Sequence, residues 1–262
     1  MTHSEKNRFQ EFFGDARYVG LKNHLYNYLL RRKAVGKALQ GEKQLRVLEV
    51  GSGLSPVTDA GRQVVYSDLS FLALRTLKMS HGGGGHVVAN AESLPFQTGT
   101  FSHVVASEVL EHLPDDQMAI TEMVRVMNSS GCLVITFPQG RHYFAADDRF
   151  VKHYRRYDLC DMLALLEYAG LRPILVRKVL GPLDKVTMCI AVAFFAIRQK
   201  RRSTACNPAR TPVPPGFTTI FFKWCNRAFT QLARLDAFIT PRFLSTVVLI
   251  KAVRKPKHEE MT

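Results

Sequence analysis

The sequence predicts an α/β protein built on a mostly parallel sheet of seven strands with helices on both faces. Three observations carry this expectation. From residue 45 onward, short apolar segments alternate with helical stretches, the pattern of βαβ units. The first of these segments runs straight into Gly51-Ser52-Gly53, a turn at the end of a buried strand. Apolar residues make up 46% of 262 residues and charged residues 22%, which is enough for a sizeable core and excludes wholesale disorder.

In chain order, residues 5–40 read as helical, with Phe9, Phe12, Phe13, Tyr18, Leu21, Leu25, Tyr28 and Leu29 at helical spacing. Arg31, Arg32, Lys33 and Lys37 form a basic end that suits a helix C-terminus. The predicted strands are Leu45–Val50, Gln63–Ser67, His86–Ala89, Ser102–Ala106, Cys132–Phe137, Arg172–Lys178 and Ser245–Val253. Between them, Phe71–Met79, Asp116–Met127 and Leu159–Tyr168 are predicted helices, the last started by Asp158 and Asp161. Residues 181–240 break the alternation. A helix is predicted over Pro182–Arg202, a loop over 203–216 with four prolines, and a second helix over Phe217–Ile239. There is no second βαβ series, so a single domain is expected. It comprises an N-terminal helical segment 1–40, a core 45–178, a helical-pair insertion 181–240 and a last strand 245–253.

Charge is unevenly spread. Residues 1–140 carry 14 Lys/Arg and 13 Asp/Glu; residues 141–262 carry 22 and 9. The basic half predicts an anionic partner: lipid head groups, a phosphorylated substrate or nucleic acid. On the second inserted helix, Phe217, Phe221, Trp224, Ala228, Leu232, Leu235 and Ile239 share a stripe beside Lys223, Arg227 and Arg234, as in a helix lying on a membrane surface. The competing expectation is that both helices roof the sheet. The longest apolar run, Val186–Ile197, has 12 residues and is too short to span a bilayer. With no apolar signal at the N-terminus, the expected location is cytoplasmic, with peripheral membrane contact through residues 181–240. Five scattered cysteines argue against a disulfide framework and against zinc, and no carboxylate cluster points to a metal.

Four motifs follow the first four strands. VLEVGSG carries Glu49, Gly51, Ser52 and Gly53; YSDLS places Asp68 and Leu69 at the end of the second strand; NAESLPF carries Asn90, Ala91 and Glu92; and ASEVLEHL carries Ser107, Glu108 and His112. Pro56 stands where a dinucleotide fingerprint needs glycine, and the Lys-Ser/Thr of a phosphate loop is missing. In order and spacing these motifs resemble the class I S-adenosylmethionine-dependent methyltransferases, and within them the type 11, ubiquinone/menaquinone-biosynthesis-like group.

The resemblance covers about residues 45–178 plus the last strand. It implies a Rossmann-like fold and S-adenosylmethionine as cofactor. Gly51, Ser52 and Gly53 would line its methionine and ribose part, with Glu49 close to the amino group. Asp68 would hold the ribose hydroxyls, Leu69 would pack on adenine, and Asn90, Ala91 and Glu92 would border its edge. Ser107 and Glu108 would lie beneath the sulfonium. Three positions depart from the family's pattern. Ser55 replaces a third glycine, Asn90 an Asp, and His103 a common Asp; Pro56 and Gly61 leave the first helix very short or absent.

Candidate groups on the acceptor side are His112, His153 and Tyr154, with His142 a further candidate base. His153-Tyr154-Arg155-Arg156-Tyr157 precedes the helix at 159, and the resemblance places that loop over the acceptor. No Asn/Asp-Pro-Pro-aromatic motif follows the fourth strand, which argues against nucleic acid. The expected acceptor is a small molecule, a lipid or a lipid-linked glycan. The alternative is a protein of the same fold that binds cofactor or membrane without catalysing.

Overall fold

A computed structural model describes residues 23, 25–41, 46–59, 63–190 and 217–256, the side chains of 217–225 excepted. Most of the N-terminal segment, the proline-rich loop and the side chains of Phe217, Phe221, Lys223 and Trp224 lie outside the described residues. Seven strands form one sheet: β1 (Arg46–Val50), β2 (Gln63–Asp68), β3 (Gly85–Val88), β4 (Phe101–Ser107), β5 (Met127–Pro138), β6 (Leu171–Leu180) and β7 (Val247–Arg254). Their order is β3-β2-β1-β4-β5-β7-β6. The first five run parallel, and β7 is antiparallel to both β5 and β6.

Both faces of the sheet are covered, because successive side chains of a strand point opposite ways. Leu48, Val104, Leu133 and Ile250 join one buried cluster, with Ile120 and Met123 of helix α3 (Asp116–Val126) and Met162 and Leu166 of α5 (Leu159–Tyr168). Their neighbours Val47, Val105, Val134 and Leu249 join the other. Leu30 and Val35 of α1 (Tyr26–Ala38), Leu74 and Leu77 of α2 (Phe71–His81) and Ala233 of α7 (Phe217–Ile239) complete it. The short α4 (Ala146–Phe150) and a helix α6 over 182–190 make up the rest.

Local chemistry starts and stops these helices. The Ser70 hydroxyl accepts from the Ala73 amide at 3.2 Å to begin α2, and Asp115 accepts from Met118 at 2.8 Å to begin α3. At α5 the Asp161 carboxylate reaches back to the Asp158 amide at 3.3 Å.

The inserted helices are tied to the core. The buried Asp184 of α6 accepts from the Tyr26 hydroxyl at 2.7 Å, and Lys185 pairs with Asp147 and Asp148 at 2.6 and 2.5 Å. On α7, Asn226 accepts from the Tyr26 amide, and Phe229 meets the Tyr26 ring edge-on at 4.9 Å between centroids. The face of α7 that packs inward is therefore Phe229, Ala233 and Ala237. The stripe Ala228, Leu232, Leu235 and Ile239 faces outward and is exposed.

Candidate functional site

The carboxyl ends of β1, β2 and β4 meet where the strand order reverses, the usual place for a ligand in an open α/β sheet. β1 ends at Val50, and the chain turns through Gly51 and Gly53 with φ of 68° and 54°. A Cβ at Gly51 would fall 2.5 Å from Val109 Cγ2, so sterics and backbone both demand glycine there. The turn is fixed by the Gly51 and Ser52 amides, which donate to the Ser67 carbonyl at 2.8 and 3.1 Å.

No helix follows this turn among residues 51–59. Glu49 takes the helix's place from within. Its buried carboxylate accepts from the Val57 amide at 2.8 Å, the Thr58 amide at 3.0 Å and the Thr58 hydroxyl. Burial pushes Glu49 up to about 7 despite these donors. From outside, the Tyr28 hydroxyl of α1 donates to the Pro56 carbonyl at 2.7 Å. The hydroxyls of Ser52 and Ser55 are buried with no hydrogen-bond partner among the described residues.

Asp68 joins two segments. One carboxylate oxygen accepts from the Gly53 amide at 2.8 Å, the other from the Ser70 amide at 2.8 Å. The half-buried Leu69 follows directly. After β3, Asn90 folds its carbonyl onto the Glu92 amide at 3.1 Å, and Glu92 accepts from the Asp115 amide at 3.2 Å. Ala91 between them is buried.

At the end of β4 the Ser107 hydroxyl meets the Thr136 hydroxyl at 2.8 Å, and Thr136 donates on to Glu108 at 3.1 Å. Glu108 holds φ of 56°, a strained conformation for a residue with a side chain. Arg31 of α1 lies 3.9 Å from its other oxygen.

A 3-10 turn, Leu110–His112, then places Glu111 and His112 beside His153 from the loop before α5. The rings of His112 and His153 meet edge-on at 4.7 Å, and His153 Nε2 is 3.8 Å from a Glu111 oxygen. His153 Nδ1 is 2.9 Å from Asp148. Burial would raise the Asp148 carboxyl, but the bonds from His153 and Lys185 and the charge of Arg156 outweigh it and hold Asp148 well below the usual carboxylate range. Tyr154 anchors the loop through its amide, which donates to the Glu111 carbonyl at 2.8 Å, while its side chain is half exposed.

His142 stands apart, exposed on its own 3-10 turn. The loop also lines a cavity of about 430 Å³ with Arg141, Phe144, Arg155 and Tyr157.

Thus the structure brings Gly53 to Asp68, Ser107 to Glu108, and His112 to His153. It turns Glu49 inward toward Thr58. Glu111 was not singled out from the sequence, although Glu108, Glu111 and His112 stand at i, i+3 and i+4, the spacing of a shared helical face.

Residues 48–135 match a family described as a methyltransferase domain. The demethylmenaquinone methyltransferase of Streptomyces avermitilis is 32% identical over 108 residues, 40% of this chain and 47% of that protein. A malonyl-[acyl-carrier protein] O-methyltransferase of Legionella pneumophila is 36% identical over 77 residues, 28% of this chain and 27% of that protein. The chain thus spans about half or less of the length of these curated relatives. Among solved structures, a methyltransferase of Haloferax volcanii in complex with the Trm112 activator superposes with a TM-score of 0.63 at 13% identity, over 95% of this chain and 98% of that one. Phosphoethanolamine N-methyltransferase 2 of Haemonchus contortus, in complex with S-adenosyl-L-methionine, gives 0.56 at 17% identity, over 86% and 52%. These structural likenesses establish the fold.

Proposed function

We propose that this chain, which carries a class I methyltransferase domain of the type 11 group, transfers a methyl group from S-adenosylmethionine to a small-molecule or lipid-linked acceptor. The observation that carries the reading is Asp68. Its two oxygens accept from the Gly53 and Ser70 amides, which fix the carboxylate at the end of β2 beside the glycine turn, where an acidic residue of this fold meets the ribose hydroxyls. The residues around it fit the cofactor. The Gly51–Gly53 turn offers glycine backbone at the strand end, and the buried Ser52 and Ser55 hydroxyls need a partner that the described residues do not provide.

The bound cofactor supplies an activated methyl on sulfur, so the protein's part is to position two reactants in line. Gly51, Ser52, Gly53, Asp68 and Leu69 hold the cofactor, with Asn90, Ala91 and Glu92 along the adenine edge. Glu49 acts through the loop, keeping residues 51–58 in shape. Ser107 and Glu108 face the sulfonium. On the acceptor side, Val109 links the glycine turn to the cluster of Glu111, His112 and His153, with Tyr154 beside them. The acceptor's reacting atom lies against that cluster.

A membrane-linked acceptor is the finer reading, favoured by the outward stripe of α7. Leu232, Leu235, Phe238 and Ile239 are more than half exposed. Beside them, Lys33, Arg227 and Arg234 crowd so that the charge of Arg234 holds the Lys33 ammonium below its usual value. An anionic head group would relieve that repulsion, and the apolar stripe would enter the lipid boundary. No helix among the described residues is long and apolar enough to cross a membrane. The test is transfer from methyl-labelled cofactor to separated organic-phase and aqueous-phase cell extracts. Label in the organic phase supports a lipid-linked acceptor, label in the aqueous phase a soluble one, and absence of label in both contradicts the activity.

A further inference from the structure

We propose that Glu111, His112 and His153 bind one divalent first-row transition cation, of the Zn²⁺ or Mn²⁺ class, beside the cofactor turn. The first observation is geometric: one ligand atom from each of the three side chains lies within 4.8 Å of the other two, so that small side-chain shifts bring them to the roughly 3.4 Å spacing of tetrahedral donors around one ion. The second is independent of the first. Glu111 is fully buried, and among the described residues neither of its carboxylate oxygens has a hydrogen-bond partner, with His153 Nε2 standing off at 3.8 Å. A buried carboxylate normally has partners, and leaving one without them is costly.

The surroundings suit a cation. The ionised Asp148 lies on Nδ1 of His153 at 2.9 Å and orients the ring so that Nε2 points toward Glu111. A carboxylate behind a ligating histidine is the usual support of a metal site. Asp148 is itself fixed by Arg156 at 2.7 Å and Lys185 at 2.5 Å, so the histidine's support is rigid. Glu108, three residues before Glu111, adds a second carboxylate whose charge acts on the site against those of Arg31 and Arg156. Two imidazoles with carboxylates suit Zn²⁺, Mn²⁺ or Fe²⁺ better than Mg²⁺ or Ca²⁺, which prefer all-oxygen shells.

Three protein ligands leave room for a further one. This inference rests on the methyltransferase reading for its consequence, namely that the acceptor is a hydroxyl compound, an alcohol or phenol, whose oxygen takes the remaining position. Binding there lowers the hydroxyl's pKa, and its proton passes to solvent. The oxygen then forms the new O–C bond as the methyl's C–S bond breaks, and the sulfonium becomes a neutral thioether.

The test uses the untagged full-length protein, stripped with EDTA and titrated with Mn²⁺ while free Mn²⁺ is followed by its EPR signal. One Mn²⁺ per chain is expected, displaced by Zn²⁺. Glu111→Gln and His153→Gln should each weaken binding tenfold or more, with S-adenosylmethionine affinity unchanged as the check on folding. The half-buried His112 is varied as well, so that a folded variant is at hand if burial of Glu111 makes its substitution unfold the chain. Wild type that binds cofactor but takes up neither ion stoichiometrically overturns the metal site and leaves the methyltransferase reading standing. Folded variants that bind Mn²⁺ as wild type does overturn it equally. Wild type that binds the ion but not the cofactor would instead overturn the methyltransferase reading.

Discussion

The Tyr28 hydroxyl donates to the Pro56 carbonyl at 2.7 Å, so the N-terminal helix holds the cofactor-side loop from above while Glu49 holds it from below. This pair of anchors explains how a chain with Pro56 in the segment after β1 dispenses with a helix there. Tyr28→Phe removes one buried bond and should cost about 0.5–1.5 kcal/mol of stability. The carbonyl left behind loosens the turn, so S-adenosylmethionine affinity should fall several-fold. Thermal melts and calorimetric titration check both; a stability loss with unchanged affinity would mean that the loop keeps its shape without this clasp.

Glu49 gives a pH signature. Its carboxyl titrates at about 7 when folded, against an ordinary 4.5. Between these values the folded chain holds a proton that the unfolded chain has released, so this group's contribution falls as pH rises from about 4.5 through about 7. The change is on the order of 1–3 kcal/mol. Glu49→Gln should abolish it, seen as a wild-type advantage in urea unfolding that shrinks between pH 5 and pH 8. An advantage that grows with pH would mean that the Val57 and Thr58 donors hold the group ionised.

The outward face of α7 predicts flotation with anionic liposomes at low salt, weaker with neutral ones. Arg227→Glu with Arg234→Glu should reduce flotation by about 1 kcal/mol per residue, an effect that fades as salt rises. Leu232→Glu with Phe238→Glu should reduce it at every salt concentration, because that contribution is apolar. If the helix only roofs the sheet, no flotation is seen in any of these proteins.

Much of the architecture was legible because buried parallel strands and their turn residues are local signals. All seven strands and the helices at 71, 116, 159 and 217 lie within a few residues of their predicted bounds. β5 begins at Met127, five residues before the expected Cys132. Asn128-Ser129-Ser130-Gly131 has turn composition, yet Met127 pairs with Phe101 across an irregularity in register. The five-residue α4 was missed because so short a helix carries no periodicity.

The site divides in the same way. Gly51, Gly53 and Asp68 are readable because each sits at a strand end. Glu49 is expected close to the cofactor's amino group, and its partners Val57 and Thr58 are not legible because they belong to a segment without a helix. The meeting of Glu111 with His153 spans 42 residues of sequence and depends on how the loop after β5 folds back, which no local pattern encodes.

Binding of S-adenosylmethionine at the Gly51–Asp68 corner is decided by calorimetric titration of wild type and Asp68→Ala. Wild type should bind one cofactor per chain. Loss of the carboxylate leaves the ribose hydroxyls without a charged partner and should cost about 1.5–3 kcal/mol, roughly a ten- to hundredfold weaker Kd. No binding by folded wild type, or equal affinity in the two proteins, would mean that this corner does not hold the cofactor.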